Sequence, residues 1–465
     1  MVTSSTDEAK TAPTATTDPT PETQTQDEGL HVIIIGAGLA GLAAALSTKL
    51  ANPNHQVTIL EAVKELQEVG AGLQITPNGT RLLSHWGLSS ILAPFASVPT
   101  SLSVHRYDGT KLLAYEPNLQ SRMFSRYGHP LWDLHRVDLQ RELVKKCLSL
   151  NITIRLNSRV TGVDFSTNTI HLGLIPNPLK NTLSADVILL TDGLWSTIRP
   201  QFLSTPSPPT TPTPTGDLAY RLTIPTTSLT GPDLPLLHQF ITSPTINLWL
   251  GPHSHCIGYT ISSSNSSQTY NLIFLTPDSP LPSTPTSPPS LLSKFSNWDP
   301  LLQKLISHAT SISKWKLMWL PPLPRWTNPS GTFFLAGDCC HPMLPYLAQG
   351  ANSSLEDGAV FGHLLSKVKK STSGQQLPKM AAMYEQLRME RSKRVQLETF
   401  KQRDDSHLPD GPAQQARDEL MTSQLQNDDV RPGFPSRWTD PEVQAFLYGY
   451  DAYGEAERAY QEDPY

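Results

Sequence analysis

Residues His31–Glu61 read HVIIIGAGLAGLAAALSTKLANPNHQVTILE. Val32–Ile35 is a short continuous apolar run, as a strand buried on both faces of a parallel sheet requires, and it leads into Gly36, Gly38 and Gly41 in the spacing G-x-G-x-x-G. Leu39–Leu50 follows without proline and predicts a helix, and Gln56–Leu60 predicts a second strand with Glu61 at its end. The three glycines have separate physical roles. Gly36 permits the tight turn, Gly38 lets a pyrophosphate approach the backbone, and Gly41 lets the helix pack on the strand. The helix start supplies amides and positive potential to phosphates, and Glu61 is placed to accept from an adenosine ribose hydroxyl. Strand, turn, helix, second strand and terminal acid in register predict a Rossmann-like dinucleotide-binding unit in an α/β chain. The motif by itself leaves NAD and FAD equally open, and its bland alternative is a tight βα turn with Glu61 as a solvated charge.

Outward from this unit the composition changes. The chain holds 42 prolines in 465 residues, nearly double the roughly 5% of average proteins, and these cannot sit in helix interiors or central strands. Hydrophobic content of 38% and charged content of 17% are both low, so uncharged polar and proline-rich stretches dilute a core that is still large. A net charge of −5 leaves no basic footprint for nucleic acid or an anionic membrane. Four cysteines (Cys147, Cys256, Cys339, Cys340) without a CxxC pair support neither a disulfide framework nor a metal site. Residues 1–29 are rich in Thr, Pro, Asp and Glu and read as a disordered tail. They lack the apolar region of a secretory leader, and their acids argue against a mitochondrial presequence. The expectation is therefore a cytoplasmic chain without a membrane span, with the N-x-S/T sites at Asn151, Asn265 and Asn352 unused.

The proline windows 204–214 (STPSPPTTPTP) and 280–289 (PLPSTPTSPP) read as exposed extended loops. Around them, Asp217–Thr223, Thr245–Leu250, Ile257–Ile261 and Tyr270–Leu275 predict a mostly antiparallel sheet. Ser354–Lys369 and Lys379–Phe400 carry apolar residues at helical spacings. Residues 401–435 read as polar and loosely ordered.

Three further segments resemble the single-component (class A) flavin-dependent aromatic hydroxylases, and the resemblance runs from about residue 31 to the C-terminus. Thr191–Pro200, TDGLWSTIRP, is similar to the family's D-G motif, with Asp192, Gly193, Ser196 and Arg199 in place. That motif serves FAD and the nicotinamide cofactor in the family; taken by itself, Asp-Gly after a strand is a turn. Phe333–Val360, FFLAGDCCHPMLPYLAQGANSSLEDGAV, is similar to the G-D segment. There the resemblance implies that Asp338 binds the flavin's ribityl or ribose and that the helix opening at Gly350-Ala351 faces the isoalloxazine. Cys339-Cys340 departs from the more usual small alanines and reads as two buried fillers; His341 reads as structural rather than as a base. Gly70–Thr80, GAGLQITPNGT, and Leu134–Leu143, LHRVDLQREL, imply that the backbone at Gly72 lies against the flavin and that Arg136 contacts FAD at a helix start. Phe446–Ala452, FLYGYDA, resembles the end of fungal salicylate-hydroxylase-like proteins.

From the resemblance the expected fold is a Rossmann-like FAD-binding (para-hydroxybenzoate hydroxylase-like) domain with an inserted, mostly antiparallel β substrate domain and a C-terminal helical region. The FAD-binding parts are expected over 30–200 and 325–370, the substrate domain over 201–324, and a helical, partly disordered region over 371–465; residues 81–107 are assignable to the substrate domain instead. In the salicylate-hydroxylase-like subgroup an arginine in an A-Y/F-R strand and a tyrosine in a G-Y strand face flavin and substrate, and Arg221 and Tyr259 match them. The implied activity is a monooxygenase, a monomer or homodimer, that uses NADPH or NADH and O2 to hydroxylate a small phenolic or salicylate-like aromatic through a C4a-hydroperoxyflavin. The same framework also carries epoxidases and kynurenine-type monooxygenases. A flavin-binding interaction protein without turnover, displaying its proline-rich loops, is the alternative from another class.

Overall fold

The computed structural model describes residues 1, 28–66, 72–173, 181–204, 210–229, 234–263, 268–278, 288–425 and 430–465. The expectations for the tail beyond Met1 up to residue 27, for Gly70-Ala71, for Asn265 and for residues 205–209 and 280–287 of the two proline windows lie outside these residues.

A five-stranded parallel sheet forms the first layer, in the order Phe333–Leu335, Val187–Leu190, His31–Ile35, Gln56–Leu60, Thr153–Arg155. Its central strands are apolar because both faces are covered; Val32–Ile35 and Val187–Leu190 are buried throughout. The strand at 333 joins the sheet some three hundred residues after the first strand, so the chain leaves this layer and returns to complete it. The helix that follows the return, Gln349–Leu365, lies against the first helix, Leu39–Ala51. The approach is close because both sides are small: a Cβ on Gly358 would stand 2.5 Å from the Ala44 amide nitrogen, and one on Gly362 at 2.5 Å from Ser47 Oγ.

The second layer is a seven-stranded sheet, ordered Ser311–Trp319, Thr213–Pro225, Gln268–Pro277, Ser254–Ser262, Thr245–Gly251, Ser101–Arg106, Leu112–Glu116. It is antiparallel except where Thr245–Gly251 runs parallel to Ser101–Arg106. Alternation sorts its side chains. Tyr220, Leu222, Trp249, Cys256, Tyr270 and Phe274 pack on the outer side in one apolar cluster with Leu291, Leu302 and Ile306 of short helices. Ala219, Ile257, Tyr259, Ile273 and Leu275 join a different cluster on the inner side. A two-stranded ribbon, Gly72–Ile75 with Trp132–His135, lies between the layers.

All four predicted strands are present and each is longer than expected. The predicted helices are Gln349–Leu365 and Ser373–Ser406. Two readings of proline need correction. Thr213–Pro225 begins inside the 204–214 window, and the helix Pro288–Lys294 opens on two of the prolines of the 280–289 window, where proline's fixed φ suits a first turn. The expectation of loose order over 401–435 is also corrected: the long helix runs to Ser406, and Pro412–Ser423 is a further helix. Several polar residues there are buried rather than solvated, among them Gln402, Gln414, Arg417 and Asp418, with Asp418 paired to Arg417 at 2.7 Å and to Arg106 at 3.3 Å. Asn352 is fully buried. No helix among the described residues is long and apolar enough to cross a membrane.

Filling the helix crossing tests this packing. Gly358→Val is expected to lower the unfolding free energy by about 2 kcal/mol, read by urea denaturation; a midpoint equal to that of the parent would show that the helices can separate without cost.

Candidate active site

The two layers enclose a cavity of about 330 Å³. Its lining includes Gly38, Leu39 and Ala40 of the glycine turn as well as His255, Tyr346 and Trp438.

The glycine turn is built as its spacing requires. Gly36 has φ +112°, and a Cβ on it would stand 2.5 Å from the Thr191 carbonyl oxygen, so the turn tolerates no side chain there. Gly41 abuts the Gly36 carbonyl, and a Cβ at Gly38 would meet nothing within 4 Å. An open space therefore faces the start of the helix Leu39–Ala51. Glu61 is not a free strand-end charge: its carboxylate accepts from the Ala37 amide at 2.9 Å and the Val63 amide at 3.1 Å, tying the second strand to the turn.

Asp192 accepts from Ser196 Oγ at 2.8 Å, while its buried Oδ1 has no partner among the described residues. Burial raises its carboxyl above the ordinary range, against the pull of Ser196 and Arg199. Gly193 beside it lines the cavity. Arg199 is fully buried and donates to the carbonyls of Cys339 at 2.7 Å, Thr210 at 2.9 Å and Leu194 at 3.1 Å. It thus clamps the D-G turn to the G-D turn.

In that second turn Asp338 faces the cavity. Burial raises its carboxyl, opposed by the charges of His341 and Arg136. His341 is buried, stacked on Trp326 and bonded to Asp357 at 2.5 Å, which agrees with a structural role. Both cysteines are buried, and Cys339 Sγ points to the Leu190 carbonyl at 3.1 Å. Downstream, Gly350 and Ala351 line the cavity at the start of their helix. Arg136 opens the helix Arg136–Ser149 and also lines the cavity.

Arg221 and Tyr259 come from neighbouring parts of the inner sheet face. The Arg221 guanidinium lies 5.0 Å over the Trp315 ring, and its Nε has no partner among the described residues. Burial lowers its pKa, Tyr259 pulls it back up, and Arg136 lowers it further. Burial raises the Tyr259 hydroxyl well above its usual value, so the phenol is neutral. Gly72 is needed here because the Tyr259 ring presses on it: a Cβ would stand 2.9 Å from Cε2 and 2.7 Å from Ile261 Cγ2.

Gly38, Gly72, Arg136, Asp338, Ala351, Arg221 and Tyr259 thus meet at one cavity, whose lining does not include Gly36, Gly41, Glu61 or Asp192. Sequence reasoning missed Gln74, Asp133 and His255. Asp133 is buried, accepts from Gln74 Nε2 at 2.8 Å, and is pushed up to about 8 by burial despite that bond. His255 precedes Tyr259 by four residues, and the two-residue period of the strand was the available signal. The open face at Gly38, the helix start at Gly350 and the unpartnered Asp192 Oδ1 together suit an elongated dinucleotide such as FAD.

Residues 307–399 match the FAD binding domain family. The chain is 41% identical over 436 residues to the FAD-dependent monooxygenase OpS4 of Beauveria bassiana, covering 93% of this chain and 97% of that protein. It is 29% identical to the 3-amino-4-hydroxybenzoate 2-monooxygenase PtmB3 of Streptomyces platensis, over 91% of this chain and 96% of the relative. Among solved structures, a salicylate hydroxylase substrate complex superposes with a TM-score of 0.72 at 19% identity, covering 93% of this chain and 98% of that one. This last likeness bears on the fold, a para-hydroxybenzoate hydroxylase-like one.

Asp133 gives the site a pH signature. Its folded pKa of about 8 lies above the ordinary 3.8, so its contribution to stability is complete below about pH 4 and is lost as pH rises through about 8. Asp133→Asn keeps an acceptor for Gln74 without the charge. Its stability relative to the parent is expected to rise by roughly 4 kcal/mol between pH 5 and pH 8.5; denaturant titrations giving a constant difference across that range would refute a buried, protonated Asp133.

Proposed function

The chain belongs to the class A FAD-dependent monooxygenases, and we propose that it uses NAD(P)H and O2 to hydroxylate a phenolic or salicylate-like aromatic ring. The observation that carries this reading is the meeting of Arg221 and Tyr259, on one sheet face, with Asp338 and Ala351 at a single cavity.

FAD would be held by the Gly36–Gly41 turn, Glu61, Gly72, Arg136, Asp192, Asp338 and the amide of Ala351. When bound, it supplies the activation of O2 and the transfer of one oxygen atom to the ring. The protein's own share is placement. Leu248, Ile257, Ile273, Leu275 and Leu344 line the cavity with apolar surface, suited to an aromatic ring and to the exclusion of water. Arg221, with its Nε unbonded, offers a planar fork to a phenolate or carboxylate. Tyr259 is held neutral by burial and orients a ring hydroxyl by donating to or accepting from it. The helix starts at Leu39 and Gly350 direct amides toward negative charge on the cofactor. The names of the relatives support an aromatic acid as substrate, since PtmB3 is an aminohydroxybenzoate monooxygenase.

The test is phenol-stimulated NADPH and NADH oxidation with product and peroxide both measured, salicylate first. Arg221→Ala and Tyr259→Phe are expected to keep FAD, read from the flavin spectrum, and to lose roughly 100-fold in kcat/KM for hydroxylation. Product formation at the parent rate by both variants would remove these residues from the reaction. Absence of stimulation by any phenol in a broad panel would favour the binding protein without turnover.

A further inference from the structure

We infer that Gln74 selects the substrate by accepting a hydrogen bond from a second hydroxyl or an amino group on the aromatic ring, with Asp133 holding its carboxamide in that sense; the inference rests on the hydroxylase reading above. Gln74 follows Gly72 by two residues in the strand Gly72–Ile75, so the two project to the same face. That face meets the inner side of the large sheet, because a Cβ on Gly72 would stand 2.9 Å from Tyr259 Cε2 and 3.2 Å from the Tyr259 hydroxyl oxygen. Gln74 is buried and lines the cavity together with Gly72, Arg221 and Tyr259.

Two bonds fix it there. Asp133 is its direct partner on the strand Trp132–His135 and accepts from Gln74 Nε2 at 2.8 Å. The Gln74 backbone carbonyl accepts from Asn352 Nδ2 at 3.2 Å, on the helix whose first residues line the same cavity. A carboxamide has one donating and one accepting end. With the nitrogen held by Asp133, the oxygen Oε1 is the end left for a ligand, and no described residue is bonded to it. Asp133 suits this post. Burial pushes its carboxyl up to about 8, so at neutral pH it anchors the carboxamide without setting a negative charge beside the ring.

The cavity then offers three different polar groups to one ring. Arg221 only donates and suits an anionic group, Tyr259 donates or accepts, and Gln74 Oε1 only accepts. An aromatic acid with two neutral donors, a dihydroxybenzoate or its amino counterpart, satisfies all three. A ring with an ether in place of the second donor leaves Oε1 buried and unpaired, and a site built around a hydrogen bond rejects such an analogue.

The experiment titrates FAD-loaded enzyme with pairs of ligands, each a salicylate carrying either a hydroxyl or a methoxyl at ring position 3, 4 or 5, and reads Kd from the flavin spectrum. The parent is expected to bind the hydroxyl member at least about tenfold more tightly in one or more pairs. Gln74→Met keeps the length of the side chain without its acceptor, and is expected to bring that ratio below about threefold with FAD still bound. Asp133→Leu leaves Gln74 in place without its anchor and should lower the ratio in the same direction, whereas Asp133→Asn, which still accepts from Nε2, should keep it. Should Gln74→Met fail to hold FAD, the two Asp133 variants decide, since Asp133 itself does not line the cavity. A ratio kept by Gln74→Met is steric rejection of the methyl group, and one kept by Asp133→Leu removes the anchor; either overturns the inference. So does a parent without preference in any pair, or one that prefers the methoxyl, which would put the nitrogen end toward the ring. In each of these cases ligand-stimulated NADPH oxidation by the parent leaves the hydroxylase reading standing. If no member of the panel binds and none stimulates oxidation, the hydroxylase reading fails and the role of Gln74 with it.

Discussion

Two adjacent acids on one helix, Glu356 and Asp357, hold together the segments that form the cavity. Both are fully buried. Asp357 accepts from the Gly337 amide at 2.8 Å, from His341 and from Arg388 Nε at 2.7 Å. Glu356 accepts from Asn78 at 2.7 Å, from Arg391 at 2.7 Å and from Arg388 at 2.9 Å. Burial works to raise both carboxyls, yet their cationic neighbours hold them below the ordinary range. The partners come from the turn that presents Asp338, from the helix Pro77–His85 after the ribbon, and from the long C-terminal helix. Removing one member of such a network leaves an uncompensated buried charge, at a cost of about 3–5 kcal/mol. The position of Asp338 in the cavity is therefore set by residues that never face it.

The same network seats the end of the chain. Arg391 donates to the carbonyls of Phe446 at 2.8 Å and Leu447 at 3.1 Å, and lies 3.7 Å over the Tyr450 ring. The segment FLYGYDA thus has a physical role, as the cover of the arginines that neutralise Glu356. Trp438 lines the cavity and donates to the Tyr346 carbonyl at 3.1 Å. A region that composition alone marks as peripheral belongs to the wall of the site.

What was legible in the sequence was local. The strand, turn and helix from His31 to Glu61 are written within 31 consecutive residues, because Gly36 and Gly41 answer to backbone atoms nearby and to Thr191, and Gly38 to an open space. Strands of the inner sheet face were legible through β-branched and aromatic runs, which report burial without naming the partner. Residues 401–435 were misread because hydropathy counts Arg417, Asp418 and Gln414 as solvated, whereas Arg106, more than three hundred positions earlier, reaches Asp418 at 3.3 Å. His255 and Asp133 were missed for a related reason: the alternation of an apolar strand tells which face a single titratable residue takes, but its meaning comes from what a distant element sets against it, as Gln74 does for Asp133.

Gly72 shows how tightly the two layers are matched. The ribbon strand that carries it and the sheet strand that carries Tyr259 approach until the Tyr259 ring lies where a Cβ would be. The same ribbon strand contributes Gln74, bonded to Asp133 on its partner strand, and the same sheet strand contributes His255. The approach of the ribbon to the sheet is therefore set where Gly72 meets Ile261 and Tyr259, with titratable groups on either side of the contact. A larger residue at position 72 would have to move Tyr259 or separate the layers, and either shift would carry His255 and Arg221 with the sheet. Glycine is required at this point by the distance between two chemistries, beyond the needs of its own backbone.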